Sequence, residues 1–181
     1  MTSARKLHKK TVLICALLLV LCLIVTLLML HWRGTVELSD LNRHSATPAP
    51  LGKAVEDASG YESVPGMMGG EQYMSPDGVS FITVAHFPDT VLGSTRVVGV
   101  RLVAGSEAYH LLGVRVGDNA RAVHSALEAH GYEVTHSGAG SIRAERGRIT
   151  LQFTLDGNGR VTEIVARLSG TNLFRVQYKA G

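Results

Sequence analysis

"LGVRVGDNARAVHSALEAHGYEV", residues 112–134, contains a helix with both of its ends marked. Gly117-Asp118 opens it, with Asp118 read as the N-cap whose carboxylate accepts a bond from an otherwise orphan amide. Ala120, Val123 and Leu127 then follow at i, i+3 and i+7 and make one apolar face, while Arg121, His124 and Glu128 point outward. Gly131 supplies the left-handed position past the last turn. Tyr132 falls one residue later, where it can pack back on Leu127 in a Schellman ending. The spacing predicts a helix over about 119–130.

Strands follow downstream. "YEVTH" (132–136) alternates, "SGAGS" (137–141) turns, and "SIRAE" (141–145) leads back. "RITLQFTLDGNGR" (148–160) is the best strand in the chain: Ile149, Leu151, Phe153 and Leu155 face one way, Thr150, Gln152 and Thr154 the other. Asp156-Gly157-Asn158-Gly159 turns the chain with residues that tolerate positive φ. "RVTEIVARL" (160–168) is the partner strand, and "NLFRVQY" (172–178) is a candidate last strand.

Upstream, "LGKAVEDASGYESV" (51–64) echoes the opening stretch through Leu-Gly-x-x-Val and Gly-Tyr-Glu. It offers two helical turns over 51–59, then a loose loop, "VPGMMGGEQYMSPDG" (64–78), then a hairpin of "VSFITVAHF" (79–87) and "TRVVGVRLVAG" (95–105). Arg96-Val97-Val98-Gly99-Val100 echoes Arg160-Val161-Thr162-Glu163-Ile164. The expectation is an α+β domain, a helix packed on an antiparallel sheet, with a possible duplicated α-β-β unit over 51–104 and 111–168. The echoes recur at slightly different offsets, whereas a strict repeat keeps a fixed period.

Residues 11–30, "TVLICALLLVLCLIVTLLML", carry no charge, glycine or proline. As a helix they span ~30 Å, the thickness of the bilayer hydrocarbon. The run exceeds the 7–15 residues or so of a cleaved signal's apolar region, and it exits through His31-Trp32-Arg33 without a small-x-small cleavage site. Cys15 follows Ile14 and Cys22 follows Leu21, so neither stands after the small residue of a lipoprotein signal. The expectation is a retained signal-anchor at 11–31 that sits in the lipid bilayer of the cell membrane.

Charge orients it. The first 33 residues hold five Lys/Arg and no acid, and Arg5, Lys6, Lys9 and Lys10 precede the apolar run. The positive-inside rule puts residues 1–10 in the cytoplasm as a basic tail and the rest of the chain outside. Residues 32–50, ending in Pro-Ala-Pro, read as a flexible spacer, and 51–181 as the extracytoplasmic domain. The two cysteines, Cys15 and Cys22, both lie in the apolar run, so the exported part makes no disulfide and relies on its core. Much of the net +3 belongs to the membrane flank and argues little for nucleic acid.

The stretches "LLGVRVGDNARAVHSALEAHGYEV" and "ITLQFTLDGNGRVTEIVARL" resemble small export-side domains of the BamE (SmpA/OmlA) and β-lactamase-inhibitor-protein type. They also resemble membrane-anchored proteins of Gram-positive bacteria with a "GVRVGD"-like signature. The resemblance covers about 111–168 and more loosely 51–104. It implies a binding or scaffold module whose helix packs on an antiparallel sheet, and it brings no catalytic residues. The chain departs from BamE in having an apolar helix in place of a lipidated cysteine.

Patterns that carry chemistry are few. Asp156 and Asn158 sit at positions 1 and 3 of a calcium-loop template, but Val161 and Arg167 occupy the places of its glycine and glutamate, which leaves a hairpin turn. His124 and His130 are six apart, a helical rotation of about 600° that puts them on opposite sides; His136 lies past the helix. They read as solvated or half-buried histidines. No nucleophile elbow, phosphate loop or zinc pattern occurs, and no cofactor is implied. Arg143, Arg146, Arg148 and Arg160 are candidates for one basic patch, and Met67, Met68, Tyr73 and Met74 for an adaptable apolar docking loop. The expected function is a non-enzymatic, membrane-anchored binding or scaffold protein of the bacterial envelope with a protein partner. The alternative is a membrane-anchored enzyme or ligand-binding protein whose site is assembled from scattered residues.

Overall fold

A computed structural model of the chain describes the backbone of residues 2–53, 61–64, 71–87, 94–105 and 107–168, and their side chains except at 2–14, 30–33, 71, 85–87 and 94–95. The chain divides into two units, Met1–Val36 and Glu37–Gly181. Helix α1, Thr2–Arg43, makes up the first unit, and its last turns belong to the second.

In the first unit the apolar character goes all the way round the helix. The large apolar side chains from Leu17 to Met29 are 44–73 % exposed. The Thr26 hydroxyl donates to the Cys22 carbonyl at 2.8 Å, so it is satisfied inside the helix. Among the described residues α1 is the one helix long and apolar enough to cross a membrane.

The second unit is α+β. Its sheet has strands β1 (Glu62–Val64), β2 (Glu71–Met74), β3 (Ser80–Phe87), β4 (Ser94–Val103), β5 (Glu133–Ser137), β6 (Ser141–Arg146), β7 (Ile149–Leu155) and β8 (Val161–Leu168). They form one antiparallel sheet in the order β1-β2-β3-β4-β8-β7-β6-β5, two four-stranded meanders joined where β4 pairs with β8. Helix α2, Ala120–Ala129, packs against β5 and β6.

Register explains the core. Tyr73, Ile82, Val100, Ala166, Leu151 and Ala144 are successive Cα partners across six strands. Strand side chains alternate between faces, so this row and the neighbouring row of Leu102, Ile164, Phe153 and Ile142 line one face. That face meets Val123 and Leu127 of α2 in a single apolar cluster. On β7 the expected alternation holds: Ile149, Leu151, Phe153 and Leu155 are buried and Gln152 is exposed. Each fully buried aliphatic or aromatic side chain is worth about 1.5–3 kcal/mol.

Helix α2 ends as its sequence requires. Gly131 has φ +66°, its amide donates to the Glu128 carbonyl at 3.1 Å, and the Tyr132 amide donates to Leu127 at 2.9 Å, the two bonds of a Schellman motif. The start differs by one residue. Asn119, not Asp118, is the N-cap, accepting from the Ala122 amide at 3.0 Å. Asp118 instead accepts from the Arg115 amide at 2.8 Å and closes the turn before the helix.

The expected spacer at 32–50 is where sequence and structure part most. Helix α1 continues to Arg43, and Leu41 and Leu51 are 1 % and 2 % exposed in the core. Asn42 clamps the returning chain, donating to the Leu51 carbonyl at 2.9 Å and accepting from the Leu51 amide at 3.0 Å. Ala46 and His110 exchange backbone bonds of 3.0 and 2.9 Å, and the Ser45 hydroxyl accepts from the Leu112 amide. Folded chain thus begins near Glu37. The expected loose loop at 64–78 also contains β2, because Gln72-Tyr73-Met74 pairs with Phe81-Ile82-Thr83.

The two meanders share local geometry. The Gly52 amide donates to the Val97 carbonyl at 2.8 Å and the Val97 amide to Lys53 at 3.0 Å; the Gly117 amide donates to Val161 at 2.7 Å and the Val161 amide to Asp118 at 2.8 Å. Gly52 and Gly117 both have positive φ, +77° and +98°. Gly52 therefore matches Gly117, not Gly113, so Leu51 corresponds to Val116 and not to Leu112. Tyr61 and Tyr132 both pack on the core, and the glutamate after each opens an edge strand, β1 or β5. The helical turns expected over 51–59 lie outside the described residues beyond Lys53, as does the candidate strand at 172–178.

Candidate functional site

A polar cluster of the second unit gathers where the end of α1 meets the end of α2. Asp40 and His44 are one helical turn apart, and the His44 amide donates to the Asp40 carbonyl. His44 Nδ1 lies 3.2 Å from Asp40 Oδ1 and 3.0 Å from the Asp40 carbonyl oxygen. His130, the C-cap of α2, places Nδ1 3.9 Å from Asp40 Oδ2. The two imidazoles lie 4.6 Å apart between centroids, tilted by 53°.

Arg146, the last residue of β6, anchors this arrangement. Its guanidinium donates to Asp40 Oδ2 and, at 2.8 Å, to the His130 carbonyl, and it lies 5.8 Å from the centre of the Tyr132 ring. The bond from Arg146 is the main cause holding the Asp40 carboxyl below its ordinary 3.8; burial opposes it, and the charges of Arg146, His44 and His130 reinforce it. Burial pushes the Tyr132 phenol far above its ordinary 10.0, and its hydroxyl has no hydrogen-bond partner among the described residues. Glu37, one turn before Asp40 and 7 % exposed, puts its carboxylate against Gly147, where a Cβ would collide with it. Asp40, His44 and His130 are the one group among the described residues whose ligand atoms, all within 4.8 Å, suit a metal ion.

The residues singled out in the sequence scatter. Met67 and Met68 lie outside the described residues. Tyr73 packs on the core, so it is not part of an exposed loop, and Met74 is half-buried at the end of β2. The four arginines do not form one patch. Arg143 is exposed and paired with Glu145 at 2.9 Å, Arg146 turns toward Asp40, and Arg148 is exposed in the β6–β7 turn. Arg160 sits at the opposite end of the strands, donating to the Gly117 carbonyl at 3.0 Å. His124 meets the Ser137 hydroxyl at 3.3 Å, and Asp156 accepts from the Asn158 and Arg160 amides, both at 2.8 Å, in the expected hairpin turn.

Sequence reasoning missed Asp40 and His44, which lay in the supposed spacer. Their i, i+4 spacing was the available signal. The sheet face away from the core shows a second feature: Met74, Phe81, Arg101, Val165, Gln152, Arg143 and His136 are successive partners across seven strands. In its middle Arg101 lies 5.1 Å from the Phe81 ring centre and pairs with Glu163 at 3.1 Å.

No family model matches the chain, and neither the curated proteins nor the solved structures yield a match.

Proposed function

We propose that this chain is a single-pass, membrane-anchored binding or scaffold protein of the bacterial cell envelope, without enzymatic activity. Residues 11–31 span the cell membrane, the N-terminus is cytoplasmic, and the α+β domain lies outside. The observation that carries the anchor is the unbroken exposure of large apolar side chains from Leu17 to Met29. Water penalises such a surface at about 25 cal/mol per Å², and lipid removes that penalty. The basic residues before the run favour this orientation. A cysteine placed at exposed Asn158 should react with an impermeant thiol reagent on intact cells, with native Cys15 and Cys22 replaced by serine as background. Labelling only after lysis would reverse the topology.

The domain is one unit used twice, each a glycine turn bonded to its own sheet followed by a four-stranded meander. The paired bonds at Gly52–Val97 and Gly117–Val161 and the two Tyr-Glu entries support this reading. A protein partner docks on the sheet face opposite the core, along the row from Met74 to Arg143. That row combines an aromatic ring, arginines and a half-buried methionine, residue types enriched at interfaces. A photo-crosslinking residue at Gln152 should capture one envelope protein in native membranes, and the same residue at Glu128 on α2 should not. Equal capture from both positions would refute the sheet-face assignment.

A further inference from the structure

We infer that Asp40, His44 and His130 form a binding site for one divalent zinc-class ion, held between the end of α1 and the C-cap of α2. Two nitrogens and a carboxylate oxygen around zinc lie about 2.0–2.2 Å from the metal, hence roughly 3.3–3.6 Å from one another in a tetrahedron. His44 Nδ1 stands 3.2 Å from Asp40 Oδ1 and His130 Nδ1 3.9 Å from Oδ2 of the same carboxylate, and one ligand atom from each of the three residues lies within 4.8 Å of the others. Small rotations of the exposed His44 ring and the half-buried His130 ring complete the fit, and binding takes His44 Nδ1 off the Asp40 carbonyl it faces at 3.0 Å. Two imidazoles with one carboxylate select Zn²⁺, Co²⁺ or Ni²⁺ over Ca²⁺ and Mg²⁺, which want oxygen alone.

The surroundings match a metal site in kind. Asp40 and His44 are spaced so that one helix face presents both. Arg146 bonds Asp40 Oδ2, the oxygen nearer His130, and leaves Oδ1, the oxygen nearer His44, for the ion; such outer bonds orient ligating carboxylates. The guanidinium charge works against a cation. Asp40 together with Glu37, whose charge reaches the same Tyr132, offsets it. His44 is 44 % exposed, so the fourth position opens to solvent and can take water or an outside ligand. The site differs in residues and location from the sheet face proposed to dock a partner, and it stands if that face proves inert.

The test uses the full chain in detergent micelles, with Zn²⁺ titrated against a competing chromogenic chelator at neutral pH. One equivalent should bind, and His44→Ala and His130→Ala should each weaken it by at least about tenfold, the scale of losing a ligand or its support. His124→Ala, on the outer face of α2, should leave it unchanged. Co²⁺ should show tetrahedral visible bands that His44→Ala abolishes. His44 is exposed, so its alanine variant keeps the fold and reports on binding alone. Absence of saturable zinc binding, or binding that His44→Ala does not alter, would overturn the site.

Discussion

At the scale of the residue, two glycines and one carboxylate make the sharpest demands. Gly131 holds φ +66° with open space around its Cβ position, so Gly131→Ala should cost only the backbone term, about 1 kcal/mol. Gly147 has φ +57° and the Glu37 carboxylate against it, so Gly147→Ala should cost more, roughly 2–3 kcal/mol with the clash added. Denaturant unfolding of the two variants side by side checks the ranking, and equal losses would dismiss the Glu37 contact. Asp40 sets a pH dependence. Its carboxyl is depressed in the folded chain, so its contribution is present above its ordinary value and lost as pH falls through the lower folded value. Asp40→Asn, measured with chelator present, should be destabilised by roughly 1–2 kcal/mol at pH 7, and the gap should narrow as pH falls below the ordinary 3.8 and through the lower folded value. A gap of the same size at every acid pH at which the chain stays folded would mean that the charge of Asp40, and its pairing with Arg146, adds no stability.

At the scale of the element, legibility followed locality. Helix α2 and the β7–β8 hairpin were readable because their signals lie within a dozen residues: an apolar face, a glycine ending, alternation and an Asp-Gly-Asn-Gly turn. Only the N-cap slipped, since Asp118 and Asn119 are both good caps and the choice depends on which one the Arg115 turn takes. The end of α1 was illegible for the opposite reason. Leu38 and Leu41 are sparse, and nothing local says that a sheet built from residues 62–168 will take them into its core. The Asp40 cluster was hidden likewise. Asp40 and His44 form a helical pair, but His130 and Arg146 arrive only through tertiary packing. Burial now makes a strong demand on the supposed spacer and on the residue that follows it: Leu41→Ala and Leu51→Ala should each cost ~2–5 kcal/mol. Thermal unfolding of the full chain in detergent measures it, and neutral substitutions would return residues 37–51 to linker.

At the scale of the whole molecule, the central β4–β8 pair is where the two proposed repeats depend on each other. Separating them would expose β8 along five paired positions, Glu163 to Arg167, of which Ile164, Val165 and Ala166 are buried in the intact sheet. An apolar strand edge of that kind recruits another strand. If the halves are equivalent, a second copy of the same half can replace the first. Two β8 strands paired antiparallel about Val165 set Ile164 opposite Ala166, and Glu163 opposite Arg167, so both packing and charge are complementary. A fragment of residues 107–168 should therefore be a dimer with a continuous sheet, and Val165→Lys should split it by setting two like charges face to face. Sedimentation of fragment and variant reads the outcome directly. A folded monomer would show that one half needs no partner strand, and the chain would then be better described as a single sheet with an incidental echo in its sequence.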